Sequence, residues 1–124
     1  DDSIVRGHTS KKIIEMVKKT GAKKVYFASA APPVRYQNIY GIDMPATSEL
    51  IAHGKTENQV KRFIGADELI YQDLDALRMA AHAGNPKITS FEDSVFSGEY
   101  CAGKISKEFL ESLEKNRSDL SRKS

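Results

Sequence analysis

Two short apolar runs lie between segments whose apolar residues recur at helical spacing, and this alternation narrows the fold more than any other property of the sequence. The runs Lys23-Lys24-Val-Tyr-Phe-Ala-Ser-Ala-Ala, closed by Pro32-Pro33, and Glu68-Leu-Ile-Tyr-Gln have the β-prone, nearly continuous apolar character of strands buried in a parallel sheet. Before the first run, Ile13, Ile14 and Val17 share one helical face, lysines at 11, 12, 18 and 19 surround it, and Gly21 supplies a stop, which predicts a helix over 9–20. Thr56 with Gln59 makes a capping-box pattern for a helix ending at Ile64. Asp73 opens another through Leu74, Leu77 and Ala80 to Ala83, halted by Gly84-Asn85-Pro86. Strands alternating with helices predict an α/β unit with a parallel sheet, in which ligands sit beyond the carboxyl ends of the strands.

Between these elements the sequence is less regular. Val34 to Gly41 reads as an irregular connection ending near Ile42-Asp43-Met44-Pro45, and Thr47 or Ser48 can cap a helix through Leu50, Ile51 and His53 that ends at Gly54. From Phe91 to Tyr100, extended pieces are expected on either side of a tight turn at Ser97-Gly98, after which Ser106 caps a helix carrying Phe109, Leu110 and Leu113 on one face. Beyond Asn116 the chain is polar and expected to fray. The organisation expected is one unit over 1–103 and a helix with a polar tail over 104–124. The opening loop feeds a helix but has no apolar strand to launch it, so residues upstream of Asp1 are expected.

A chain of 124 residues with 40% hydrophobic content suffices for one compact domain. Nineteen basic residues interspersed with seventeen acidic ones leave a formal charge of +2, the pattern of an ordinary solvated surface that calls for no nucleic acid. Apolar stretches such as Val25 to Val34 are too short to span a bilayer, so no membrane association and a cytoplasmic location are expected. The single cysteine, Cys101, has no partner thiol for an internal disulfide or a metal knuckle and reads as a semi-buried small residue.

The chemistry concentrates at the start of the chain. Asp1 and Asp2 offer two hard carboxylates, and Ser3, Arg6, Gly7, Thr9 and Ser10 cluster donors at a helix start. Backbone N–H groups around a glycine, with the positive end of the following helix, suit a phosphate. The two acids would repel that phosphate unless they face ribose hydroxyls or a Mg²⁺ ion bridging ligand oxygens. The same string also suits a surface turn followed by a Thr or Ser N-cap.

Asp1-Asp2-Ser-Ile-Val-Arg-Gly-His-Thr-Ser resembles the phosphoribosyl-diphosphate loop of type I phosphoribosyltransferases, without the apolar lead-in of that loop. The blocks Gly21 to Tyr36, Asn38 to Pro45, Glu49-Leu-Ile-Ala-His-Gly and Ile70-Tyr-Gln-Asp-Leu resemble successive blocks of the glutamine amidotransferase family that opens purine synthesis, the amidophosphoribosyltransferases. That resemblance implies a parallel-sheet type I phosphoribosyltransferase-like fold, incomplete at its N-terminus, and a reaction in which ammonia displaces diphosphate at C1 of the ribose. It implies that Asp1 and Asp2 hold Mg²⁺ and the ribose end of phosphoribosyl diphosphate, while Arg6, Gly7, His8, Thr9 and Ser10 wrap the 5′-phosphate and Ser3 completes the site. No nucleophilic side chain is required, so no catalytic residue is assigned; electrostatic stabilisation carries the reaction. His8 stands where many relatives have Thr.

The resemblance further implies purine nucleotides as inhibitors, a glutaminase domain elsewhere in the same protein and a homo-oligomer. Arg35 and Tyr36 are candidates for nucleotide phosphate and base, with Tyr26 and Tyr40 as further stacking rings. Some relatives hold an iron–sulfur cluster with cysteines in the regions matching Asn38 and Glu92 to Val95, where this sequence has none, so no such cluster is expected. His53 and His82 read as helix-end residues. Two other classes fit the same loop: a non-catalytic purine-nucleotide sensor, and a fragment whose role is oligomer formation.

Overall fold

A computed structural model describes residues 1–41 and 44–118. Ile42, Asp43 and the polar tail past Ser118 lie outside the described residues, so the expectations placed on them have no structural counterpart.

The α/β alternation is present. Helix α1 (His8–Lys19) leads to strand β1 (Tyr26–Ala28), helix α2 (Glu57–Ile64) to strand β2 (Glu68–Ile70), and helices α3 (Leu74–Gly84), α4 (Ser94–Ser97) and α5 (Lys107–Arg117) follow. The strands pair in parallel with Phe27 opposite Leu69. The backbone of Asp1 and Asp2 extends this ladder on the other side of β1. The Asp1 amino group donates to the Ala28 carbonyl at 3.0 Å, and Ala30 and Ala31 donate to the carbonyls of Asp1 and Asp2, both at 2.9 Å.

Ile4, Ile14, Val25, Phe27, Ile51, Ala52, Val60 and Ile64 form the buried core. Ile14 comes from the apolar face of α1 and Val60 and Ile64 from α2, so both helices close on the same side of the sheet as Phe27. Each fully buried aliphatic side chain of this kind contributes about 1.5–3 kcal/mol. The expectation of strands buried on both faces is corrected: Tyr26 and Ile70 flank the pair with 64% and 58% of their surface exposed. The alternation buries only one side, which the apolar content of the runs could not reveal.

Capping chemistry fixes the helix starts. Thr56 Oγ1 accepts from Gln59 N–H at 3.2 Å while Gln59 Oε1 accepts from Thr56 N–H at 2.8 Å, the reciprocal box expected for α2. Asp73 and Ser106 cap α3 and α5 through the N–H groups of Ala76 and Phe109. Two expectations fail. The helix expected from Thr47 to His53 is a single 3-10 turn, Thr47–Glu49, followed by tight turns to Gly54. The extended pieces expected between Phe91 and Tyr100 give way to the one-turn helix α4, ended by Gly98 in the left-handed region. Tertiary partners explain both. Glu114 of α5 accepts hydrogen bonds from the N–H groups of Thr47 and Ser48, tying off the first short turn. Asp93, before α4, accepts from Ser97 Oγ at 2.7 Å and is held by Arg78 Nε of α3 at 2.6 Å.

Helix α5 packs on the irregular connection. Gln37 Nε2 donates to the Leu110 carbonyl at 2.9 Å, and the two Nη groups of Arg117 donate to the carbonyls of Asn38 and Gly41, each at 2.6 Å. Among the described residues no helix is long and apolar enough to cross a membrane.

Candidate functional site

The opening loop is anchored at both ends. Its acidic start is bonded to the carboxyl end of β1, Ile4 is buried in the core, and the Val5 carbonyl accepts from Ile51 N–H at 2.9 Å. Gly7 then turns the chain into α1 with φ +79° and ψ −7°. No non-glycine residue among those described has positive φ, and a Cβ at Gly7 would lie 3.3 Å from Phe63 Cε1. Glycine is therefore required here by backbone conformation and by packing together. The helix starts one residue earlier than expected, at His8, and no side chain caps it. Neither Thr9 nor Ser10 acts as the N-cap.

This arrangement presents donors where an anion fits. The first intrahelical bond runs from Lys11 N–H to the Gly7 carbonyl at 3.0 Å, so the N–H groups of His8, Thr9 and Ser10 have no partner within the helix. Asp1, Asp2, Ser3, Arg6, Gly7, His8, Thr9 and Ser10, every loop residue assigned from sequence, line one cavity of about 360 Å³ together with Val5. Amides left over by the helix, its positive end and a left-handed glycine make this concavity complementary to a phosphate.

The two acids stand at its rim, both exposed. One carboxylate oxygen of Asp1 accepts from Asp2 N–H at 2.9 Å, and one of Asp2 accepts from Ser3 N–H at 2.6 Å. Among the described residues no group of three or more His, Cys, Asp or Glu side chains could hold a metal. Two adjacent hard carboxylates do fit Mg²⁺, which is commonly held by one or two carboxylates while ligand oxygens and waters complete its octahedron.

Sequence reading missed Glu49. Its carboxylate accepts from Arg6 Nε at 3.0 Å and from Arg6 Nη2 at 2.6 Å, fixing the one cationic side chain of the loop across 43 positions of chain. The only sequence sign was its place at the head of the Glu49-Leu-Ile-Ala-His-Gly block. His8 is exposed and meets Phe63 edge to face at 6.0 Å, and Lys11 lies 5.4 Å from the centre of the same ring.

Arg35 and Tyr36 diverge. Arg35 Nη1 donates to the carbonyls of Ala52 and Lys55, both at 2.8 Å, and the residue lines a cavity of about 350 Å³ with Tyr71, Gln72 and Asp73. Burial pushes the Tyr71 phenol up to about 12, with Arg35 lowering it and Glu57 raising it, and its hydroxyl has no partner among the described residues. Tyr36 lines a larger cavity of about 650 Å³ beside Gln37, His53 and Tyr100. Tyr36 meets His53 edge to face, as Tyr40 meets Tyr100, while Tyr26 projects from the exposed side of β1. His53 sits in a turn and not at a helix end; its Nδ1 lies 2.6 Å from the Arg35 carbonyl. His82 is in the last turn of α3, with Nδ1 2.8 Å from the Ile88 carbonyl. Cys101 is exposed, not semi-buried, and its thiol donates to the Phe91 carbonyl at 2.7 Å.

Comparison with known proteins shows what the chain is similar to. The chain is 54% identical over 123 residues to the amidophosphoribosyltransferase of Haemophilus influenzae, covering 99% of this chain and 24% of that protein. It is 48% identical over 124 residues to the amidophosphoribosyltransferase of Saccharomyces cerevisiae, again 24% of that protein. This chain is homologous to one segment of the amidophosphoribosyltransferases. The solved glutamine phosphoribosylpyrophosphate amidotransferase of Bacillus subtilis, complexed with ADP and GMP, superposes with a TM-score of 0.73 at 31% identity, over 87% of this chain and 24% of that one. The structure of an allosteric regulatory enzyme of purine biosynthesis matches with a TM-score of 0.74, also at 31% identity. No protein-family model matches the chain. The chain thus spans about a quarter of the length of the amidophosphoribosyltransferases it matches, and its fold is that of the corresponding, incomplete phosphoribosyltransferase unit.

Proposed function

We propose that this chain supplies the phosphoribosyl-diphosphate-binding part of an amidophosphoribosyltransferase, which forms 5-phosphoribosylamine from phosphoribosyl diphosphate and glutamine-derived ammonia. The observation that carries this reading is the single cavity that gathers Asp1, Asp2 and the amides of the α1 start around a left-handed Gly7. The N–H groups of His8, Thr9 and Ser10, with the Thr9 hydroxyl and the Arg6 guanidinium, bind and orient the 5′-phosphate. Asp1 and Asp2 would hold Mg²⁺, which neutralises the diphosphate and so favours its departure. Their carboxylates also stabilise the positive charge that grows at the ribose carbon. With the sugar fixed at both ends, attack by ammonia needs no protein nucleophile. In this reading a glutaminase domain of the same protein releases the ammonia, and the assembly is a cytoplasmic homo-oligomer.

Purine nucleotides act as inhibitors in this reading. The exposed Tyr36 ring beside the larger cavity offers a stacking surface, and Arg35 offers its remaining donors to a phosphate from the neighbouring cavity.

Calorimetric titration of the protein carrying this sequence with phosphoribosyl diphosphate, with and without Mg²⁺, tests the proposal. Mg²⁺-dependent binding that is lost in Asp2→Asn is expected. Binding of purine nucleotides with no Mg²⁺-dependent binding of phosphoribosyl diphosphate would overturn it in favour of a nucleotide sensor.

A further inference from the structure

We propose that Glu49 is the positioning residue of the phosphate loop, holding the Arg6 guanidinium at the cavity mouth where it meets the phosphate of a phosphorylated sugar. The inference rests on the loop reading above and adds a residue from outside the loop. Arg6 is a long side chain on a loop, and an unrestrained guanidinium loses rotamer entropy when it binds an anion. Glu49 removes much of that loss in advance. Its carboxylate takes Nε and Nη2, leaving the N–H groups of Nη1 and one of Nη2 as donors. The pair is asymmetric in exposure: the Glu49 side chain keeps 15% of its surface in solvent and Arg6 37%, so the acid is the more buried partner, and it is Arg6 that lines the cavity.

Glu49 is itself placed from behind. It closes the 3-10 turn Thr47–Glu49, whose first two N–H groups donate to Glu114 of α5. The same stretch of chain feeds Ile51, whose N–H binds the loop at the Val5 carbonyl. Arg6 is therefore fixed by a continuous series of bonds from helix α5 through a short turn to the loop.

Positioning and simple charge make opposite predictions, which gives the test its sign. Removing a carboxylate beside an anion site makes the local field more positive, so charge alone predicts tighter binding of a phosphate in Glu49→Gln and Glu49→Ala. Positioning predicts weaker binding, with the order wild type, then Glu49→Gln, which keeps an oxygen acceptor for Arg6, then Glu49→Ala.

The experiment measures ribose 5-phosphate affinity by calorimetry in the protein carrying this sequence, for the wild type, Glu49→Gln, Glu49→Ala, Arg6→Ala and the Arg6→Ala/Glu49→Ala double variant. Glu49→Ala is expected to weaken binding about tenfold, the scale of one misplaced charge-assisted hydrogen bond. The double variant should bind no worse than Arg6→Ala alone, since the effect of Glu49 on the phosphate runs through Arg6. Turnover should show KM for phosphoribosyl diphosphate raised with little change in kcat, whereas general damage to the loop would lower kcat as well. Unchanged or tighter binding in the Glu49 variants, or additive losses in the double variant, overturns the inference. Failure of the wild type to bind ribose 5-phosphate instead overturns the loop reading beneath it.

Discussion

Gly7→Ala probes the loop where backbone and packing meet. Gly7 holds φ +79°, a conformation that costs an L-residue about 1–2 kcal/mol. The new methyl group would lie 3.3 Å from Phe63 Cε1 and 3.4 Å from Ile51 Cγ1. Ile51 is buried in the core and has no room to retreat, whereas Phe63 is 38% exposed and can swing outward. Doing so loosens its ring from His8 and from the Lys11 ammonium, a loss of about 0.5–1 kcal/mol. The expected destabilisation is about 2 kcal/mol, close to a thirtyfold fall in the folding equilibrium constant. Urea unfolding measures it as a lower midpoint at unchanged slope. Gly21→Ala is the control, because Gly21 has φ +99° but a Cβ there would meet no atom within 4 Å. Equal losses at the two sites would refute the packing contribution of Phe63. A Gly7→Ala midpoint matching the wild type would refute the requirement for left-handed backbone.

Four further outcomes follow from three residues, Glu114, Tyr71 and Thr56. Burial pushes the Glu114 carboxyl up, but donors from Ser48 and Thr47 outweigh it and hold the group below its ordinary value of 4.5. Its contribution is therefore complete above that value and lost as pH falls through the lower folded one, so Glu114→Gln should destabilise at neutral pH by an amount that shrinks in acid, read from thermal melts across pH. Tyr71→Phe should be neutral or stabilising by about 1 kcal/mol in urea unfolding, because the hydroxyl it removes is buried with no partner among the described residues. In the wild type, ultraviolet titration should show a phenol ionising near 12 in the folded protein, and stability falling as pH rises toward that value. Thr56→Ala opens the capping box of α2 and should cost about 1 kcal/mol, measured by the same unfolding assay; an unchanged midpoint would show that α2 is held by Val60 and Ile64 alone.

Local chemistry was legible in the sequence. The capping box at Thr56 and Gln59 and the Asp73 and Ser106 caps depend on residues a few positions apart, and they form as the sequence predicts, whereas of the expected face Ile13, Ile14 and Val17 only Ile14 is buried. The candidate residues Asp1, Asp2, Ser3 and Arg6 to Ser10 are also near neighbours in sequence, and they line one cavity because a helix start presents its amides to whatever precedes it. Tertiary structure decided whatever depends on distant partners. Thr47 to His53 carries a helix-compatible sequence, yet Glu114, more than sixty residues away, holds its start in a single short turn. Tyr26 and Ile70 belong to apolar runs, but one face of the two-stranded sheet is uncovered by the described elements and leaves them exposed. Arg35 and Tyr36 are neighbours in sequence and open onto different cavities, on a stretch of irregular chain whose two N–H groups both donate to the Val95 carbonyl, a partner about sixty positions away. The partner of Arg6 was equally hidden: 43 positions separate it from Glu49, and only the packing of the turn after the irregular connection brings that carboxylate to the opening loop.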